Sequence, residues 1–276
     1  MTTFRVLGPG RAGRSLAAAL SSVDGYHLVD LWGRDRSPEA AAEGVDVLVI
    51  ATPDDTVAEV ASRVRPVPTT AVLHLSGSLG LDVLAGHPRR GSLHPLVPLP
   101  TPDIGAERLR SGVTLATSGD PQARAMAEAL GGHVVEVADE DRAAYHAAAV
   151  IAANHLVALM GQVERVAATA GLTLDAFAGL MRAAAEDALA LGPRQALTGP
   201  AARGDWDTVE RHRASLAAMP GHRTELAGYD AMVSLARRLS LETAAEPADA
   251  GPVAAADAAH GAPALASVAA GAEQVA

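Results

Sequence analysis

The chain contains no cysteine and no lysine, and few of its 276 residues are aromatic: two Trp, three Tyr and two Phe. Without cysteine, disulfides, thiol nucleophiles and thiolate metal sites are excluded. All 22 basic residues are arginine, so a lysine general acid and a Schiff base are excluded as well. Basic surface is also in deficit. A net charge of −10 and a pI of about 5.4 argue against a nucleic-acid partner. No signal pattern precedes the first strand, which begins near residue 4, so the cytoplasm is the expected compartment. The longest apolar run, Ala143 to Met160, is broken by His146, Asn154 and His155, which argues against a membrane span.

What is present begins at once. Phe4-Arg5-Val6-Leu7 runs into Gly8-Pro9-Gly10-Arg11-Ala12-Gly13, and an Ala/Leu-rich helix follows from Arg14 to Ser21. A strand, a G-x-G-x-x-G turn and a helix form a dinucleotide-binding fingerprint. Gly8 permits the turn, Gly10 lets backbone approach a pyrophosphate, and Gly13 lets helix and strand pack closely. The N–H groups at the start of that helix then face the phosphates, and Arg11 and Ala12 of the turn are expected at the cofactor too.

Strand signals recur at His27–Trp32, Val45–Thr52, Thr70–Leu75, Gly91–His94, Gly112–Ala116 and His133–Val137, with helices at Thr56–Val64 and Pro121–Leu130. Val45–Thr52 is almost uninterruptedly apolar, as in a strand buried on both faces. The alternation predicts an α/β fold: an N-terminal Rossmann domain with a doubly wound, mostly parallel sheet over residues 1–139. An all-α domain is expected over 140–243. It opens with a helix over Asp141–Ala170 of about 45 Å, long enough to pack against a second subunit as well. Helices follow at Leu174–Leu191, Asp205–Ala218 and Arg223–Thr243. Residues 244–276, rich in Ala, Gly, Pro and Asp, are expected to be a disordered tail.

The acidic residue that selects NAD falls about 20 positions past the glycines. Here that place is held by Gly33-Arg34-Asp35-Arg36. Arg34 and Arg36 suit a 2′-phosphate, which a guanidinium grips in bidentate fashion, so the expected cofactor is NADP(H). Thr52-Pro53 and Ser76-Gly77 end two later strands at the edge where such folds bind ligands, and should border the cofactor. Asp55 is a candidate cap for the helix near Thr56.

Three further segments stand out: Ser92-Leu93-His94-Pro95-Leu96, Tyr145-His146 through Asn154, and Leu197-Thr198-Gly199-Pro200 through Arg203-Gly204-Asp205. With the glycine turn they resemble an uncharacterised family of Rossmann-like oxidoreductases that carry a helical C-terminal domain of unknown function. More distantly, the layout is similar to the 6-phosphogluconate dehydrogenase-like superfamily, which includes ketopantoate and pyrroline-5-carboxylate reductases. The resemblance implies NADP-linked hydride transfer at an interdomain cleft, in a homodimer. It implies a small 2-oxo acid of ketopantoate type as substrate. Ketopantoate reductases of the common type use a lysine on the long helix, with an asparagine one turn later. That lysine is missing here.

His146, Val150 and Asn154 fall at i, i+4 and i+8 and share a helix face. His146 is the candidate proton donor, because imidazole titrates near neutrality, and Asn154 the candidate orienting group. His94, in a His-Pro turn like that of prephenate dehydrogenases, and Arg203, suited to a carboxylate, are candidate substrate-binding residues. Asp205 is read as a helix cap. No H-x₃-H or H-E-x-x-H spacing occurs, so no metal is expected. Two other functions fit the same residues. An imine reductase resembling pyrroline-5-carboxylate reductase depends less on a proton donor, because a cyclic imine can arrive protonated. A non-catalytic NADP(H) sensor needs no such donor.

Overall fold

The computed structural model describes residues 1–219 and 222–245. Of the tail expected from Ala244, residues 246–276 lie outside the described residues. Seven strands form one sheet: β1 (Thr2–Leu7), β2 (Tyr26–Trp32), β3 (Val47–Ile50), β4 (Ala71–His74), β5 (Arg90–Pro95), β6 (Thr114–Gly119) and β7 (His133–Glu136). Their spatial order is 2-1-3-4-5-6-7. Every pairing is parallel except β5 with β6. The chain leaves β1 toward one edge for β2 and returns past it to β3. The topological switch point therefore lies between β1 and β3, where open α/β sheets place their ligand.

Helices cover both faces because the central strands are apolar on both. In β3, Val47 and Val49 join a core with Phe4, Val6 and Leu73, while Leu48 and Ile50 join a second core. This is the alternation that a pleated strand imposes. Leu16 and Leu20 of α1 (Arg11–Ser21) pack in the first core. Val57 and Ala61 of α2 (Asp54–Arg63) fill the second. Leu109 of α3 (Pro102–Leu109) and Met126 of α4 (Pro121–Ala129) return to the first. Helix α3 has no counterpart among the sequence-based expectations, although its start is marked: Thr101 accepts from the Ile104 N–H at 3.3 Å and Pro102 holds the first position.

The expected long helix is present but not uniform. It consists of α5 (Arg142–Val150), a π-helical turn (Ile151–His155) and α6 (Leu156–Ala168), and glycine 171, at φ +73°, follows its end. The segment Asp139–Ala168 is long and apolar enough to cross a membrane by length and composition, with a mean hydropathy of 1.4. Its first helical turn is nevertheless built into the sheet through Arg142, a residue only 1% exposed.

By Cα packing the chain forms two compact units, Met1–Gly161 and Gln162–Ala276. The last strand ends at Glu136, ahead of the boundary expected at 139/140; α5 packs with the sheet, and the division falls inside α6. The second unit holds α7 (Ala178–Leu191), α8 (Pro193–Ala196), α9 (Pro200–Arg203), α10 (Trp206–Ala217) and α11 (His222–Ala245), with no strand among its described residues. Glu225, 7% exposed, is central to it: its carboxylate accepts from Arg165 at 2.6 Å and its carbonyl from Gln162 at 2.7 Å. Asp205 caps α10 as expected, accepting from the Thr208 N–H at 3.1 Å.

Candidate functional site

The glycine turn leaves β1 at the switch point. Gly8 has φ +103°, a value few residues other than glycine adopt. A Cβ there would stand 2.8 Å from the Ala51 carbonyl carbon, and one at Gly13 would overlap the Gly8 carbonyl. Gly10 differs. It is exposed, and a Cβ would meet nothing within 4 Å. Two glycines thus close the turn and the third leaves an open backbone face. Gly10 is also the N-cap of α1, with no side chain capping the helix and no acid in its first turn, which holds Arg11, Ala12 and Gly13. Unclaimed N–H groups beside an open backbone suit an anion. Across the switch point the Thr52 Oγ1 is buried without a partner. These features fit a dinucleotide pyrophosphate.

The turns after β3 and β4 are tied together. Asp54 accepts from the Ser76 hydroxyl at 2.6 Å and the Ser78 hydroxyl at 2.8 Å. Asp55, expected to cap α2, does not: the helix begins at Asp54 with Pro53 as its N-cap and no side-chain cap bond. The carboxylate that organises these turns is the preceding residue.

At the end of β2 the two expected phosphate arginines separate. Arg36 donates to Asp30 at 2.9 Å and its guanidinium lies 5.5 Å from the Trp32 ring centroid. Asp30 also accepts from Arg5 and from Trp32 Nε1, both at 2.6 Å. Arg36 is thus partly committed within the protein, while Arg34 is exposed and held by no hydrogen bond or ion pair among the described residues.

Next to β4 and β5 the polar candidates meet. A Cβ on Gly77 would lie 2.8 Å from His94 Nε2 and 2.9 Å from His146 Nδ1, so both imidazoles rest on this glycine. The two rings meet edge-on, with centroids 6.0 Å apart. His94 Nδ1 is 2.7 Å from the Tyr145 hydroxyl, whereas His146 Nδ1 is buried with no partner. Burial, assisted by His146 and Arg142, lowers the His94 pKa to about 4, so its ring is neutral at pH 7. Burial raises the Tyr145 pKa and keeps the phenol protonated. His74, at the end of β4, is also pushed to about 4 by burial and by Arg142.

Arg142 holds this arrangement. Its guanidinium donates to the Ser92 and Ser118 hydroxyls, to the Ser76 carbonyl at 3.4 Å and to Asp139 at 3.3 Å. It thereby fastens the start of α5 to the strand ends, three and four residues before Tyr145 and His146. The sequence motifs assign no role to Arg142, Tyr145 or Asp54. The only available signal was an arginine, a tyrosine and a histidine within one helical turn.

His94, His146, Val150 and Asn154 all line one cleft of about 820 Å³ within the first unit, together with residues 95–98. The expected helix face survives the π turn, which widens the helix between Val150 and Leu156. Such turns are frequent at functional sites. Arg203 is not among the lining residues; it ends α9 in the second unit. Among the described residues no group of three histidines or acids could hold a metal.

Residues 111–237 match the model of a domain of unknown function, DUF2520. No curated protein matches the chain. Similar solved structures include a protein of Thermotoga maritima (24% identical, covering 87% of this chain and 99% of that one, TM-score 0.65). A protein described as an inferred NADP oxidoreductase from Bacteroides fragilis is 20% identical over 86% of this chain and 98% of its own, with a TM-score of 0.68. A reductive aminase from Aspergillus terreus, in complex with NADPH and ethyl levulinate, is 15% identical over 88% and 94%, with a TM-score of 0.60. The match begins just before β6 and runs into α11, across the Leu197–Asp205 string, and the fold of the chain is that of these Rossmann-type structures.

Proposed function

We propose that this protein is an NADP(H)-dependent oxidoreductase that transfers a hydride to the C=O or C=N carbon of a small molecule. The observation that carries this reading is the convergence of His94, His146 and Tyr145 at Gly77, on the same strand edge as the open glycine turn. The Aspergillus reductive aminase, similar in fold, is bound to NADPH and supports it. When bound, the nicotinamide supplies the hydride. The chain's own residues do the rest: Gly8, Gly10 and Gly13 shape the phosphate turn, Arg34 meets the 2′-phosphate, and Thr52, Pro53, Ser76 and Gly77 border the ring. Tyr145 and His146 hold the acceptor atom and its proton, and Asn154 orients another polar group of the substrate.

The narrower substrates divide on charge. A ketopantoate-like 2-oxo acid calls on Arg203 for its carboxylate. An imine is the second reading, supported by the missing lysine and by neutral His94, since a protonated imine needs no donor. Homodimerisation through the long helix is supported by its exposed apolar side chains, Ile151 at 59% and Val157 at 67%. Residues 140–243, which include this helix and the helical wall of the cleft, then serve as the substrate and dimerisation half.

The test is an NADPH oxidation assay with a panel of oxo acids, ketones and imines, beside an NADPH titration. Turnover on a panel member, lost in His146→Ala with NADPH affinity retained, is the expected result. Tight NADPH binding without turnover on any compound makes the protein a sensor instead.

A further inference from the structure

The cleft beside His94 and His146 is polar at one end and apolar along the rest of its length. The polar end holds His94, Tyr145 and His146, and Asn154 stands farther along the helix as the one polar side chain among its apolar residues. The remainder is Pro95-Leu96-Val97-Pro98 on one side and the alanines and aliphatic residues of positions 148–157 on the other. No residue that lines it carries a formal charge at pH 7 through an arginine, aspartate or glutamate. The imidazole of His94 offers no cation either, being neutral in its buried setting. Arg142, the cation behind the cleft, has Nε, Nη1 and Nη2 all engaged with Asp139, Ser76, Ser92 and Ser118.

A carboxylate moved from water into such a cleft would lose its hydration without gaining a bidentate partner, an unfavourable exchange. A ketone or imine with an aliphatic skeleton loses little polar hydration. It gains burial along the apolar walls while its single polar atom reaches the tyrosine and histidine end. The cleft volume of about 820 Å³ is in the range that takes small organic molecules.

We propose that the compound bound in this cleft is a non-anionic, largely apolar carbonyl or imine compound. Its C=O or C=N group lies at the Tyr145–His94–His146 end and its carbon skeleton along Pro95–Pro98 and the apolar residues of positions 148–157. This rests on the reductase reading and narrows it, since it sets aside substrates that carry a carboxylate, including oxo acids and pyrroline carboxylates.

The test compares a matched pair, 4-methylpentan-2-one and 4-methyl-2-oxopentanoate, which share a branched skeleton and differ by the carboxylate. Binding of each to the full chain loaded with NADP⁺ is followed by calorimetry or ligand-observed NMR, so no turnover is needed. The ketone is expected to bind at least about tenfold more tightly than the oxo acid. Ala149→Phe, which fills the apolar wall, should weaken the ketone by about tenfold, and Ala153→Arg should shift the preference toward the oxo acid. Thermal melts of both variants confirm that they are folded. Equal or tighter binding of the oxo acid overturns the proposal, as does binding of neither at millimolar concentration. A preference for the oxo acid that disappears in Arg203→Ala overturns it and assigns the cation to the second unit. Ketone binding without NADPH oxidation on any panel compound would sink the reductase reading and leave this one standing. NADPH oxidation confined to oxo acids would do the reverse.

Discussion

The Tyr145 hydroxyl and the Nδ1 of His94 lie 2.7 Å apart, joining the first turn of the long helix to the end of β5. The rings are almost perpendicular, at 88°, so the contact is a directed hydrogen bond rather than a stack. With the protonated phenol as donor, the neutral imidazole carries its own proton on Nε2, the nitrogen beside Gly77.

Removing that bond separates proton handling from cofactor binding. Tyr145→Phe should lower turnover by about 10²-fold and leave the NADPH dissociation constant unchanged. Steady-state kinetics beside a fluorescence titration of NADPH checks both. Unaltered turnover would reduce the pair to a structural brace.

The three glycines of the turn are expected to fail in different ways. Gly13→Ala places a Cβ against the Gly8 carbonyl and should lower the melting temperature. In Gly10→Ala the added methyl stands in open space, so the melt should be nearly unchanged while NADPH affinity falls by about tenfold or more. If Gly10→Ala binds NADPH normally, the pyrophosphate does not cross this backbone.

At the 2′-phosphate the two arginines are unequal. Arg34→Ala should weaken NADPH by about tenfold while NADH affinity stays put. Arg36→Ala should do less, because Asp30 already engages that guanidinium at 2.9 Å. A larger loss in Arg36→Ala, or equal binding of NADH and NADPH by the unaltered protein, would refute this assignment.

Acid should destabilise the fold through its buried histidines. Unfolded histidine takes up a proton near pH 6.5, whereas His74 and His94 do so only near 4 in the folded chain. Between those values the unfolded state binds more protons, so stability falls as the pH drops, by about 1.4 kcal/mol per pH unit for each histidine. Denaturant titrations from pH 7 to 4.5 should show this slope, and His74→Asn should reduce it. A flat profile would contradict the neutral, buried state of these rings.

Local patterns made much of the fold readable. All seven strands and the flanking helices α1, α2 and α4 carry their apolar period in short stretches of chain, and Gly8 to Gly13 form a turn whose geometry depends on neighbours in sequence. Helix α3 escaped notice because Pro102–Leu109 is short and only weakly amphipathic. The π turn at Ile151–His155 escaped because nothing in an alanine-rich helix marks where the ladder widens.

The candidate site was half visible. His94, His146 and Asn154 were legible as polar residues in apolar surroundings. Their convergence was not, since His94 and His146 are 52 positions apart and meet only because the end of β5 and the first turns of α5 both reach Gly77. Arg142 carries no local signal of its role, which comes only from the sheet edge that buries it among Ser76, Ser92 and Ser118.

The amino-acid sequence by itself determined the chemistry that is ruled out, because a chain without lysine or cysteine has neither group in any fold. It also determined the strand–turn–helix at its start, because those preferences act between residues close in the chain. Tertiary structure alone decided which of two arginines is free, which serines hold Arg142, and that His94 is neutral. Those depend on burial and on partners brought from distant strands, and no local pattern encodes the dielectric or the neighbours that a side chain will meet.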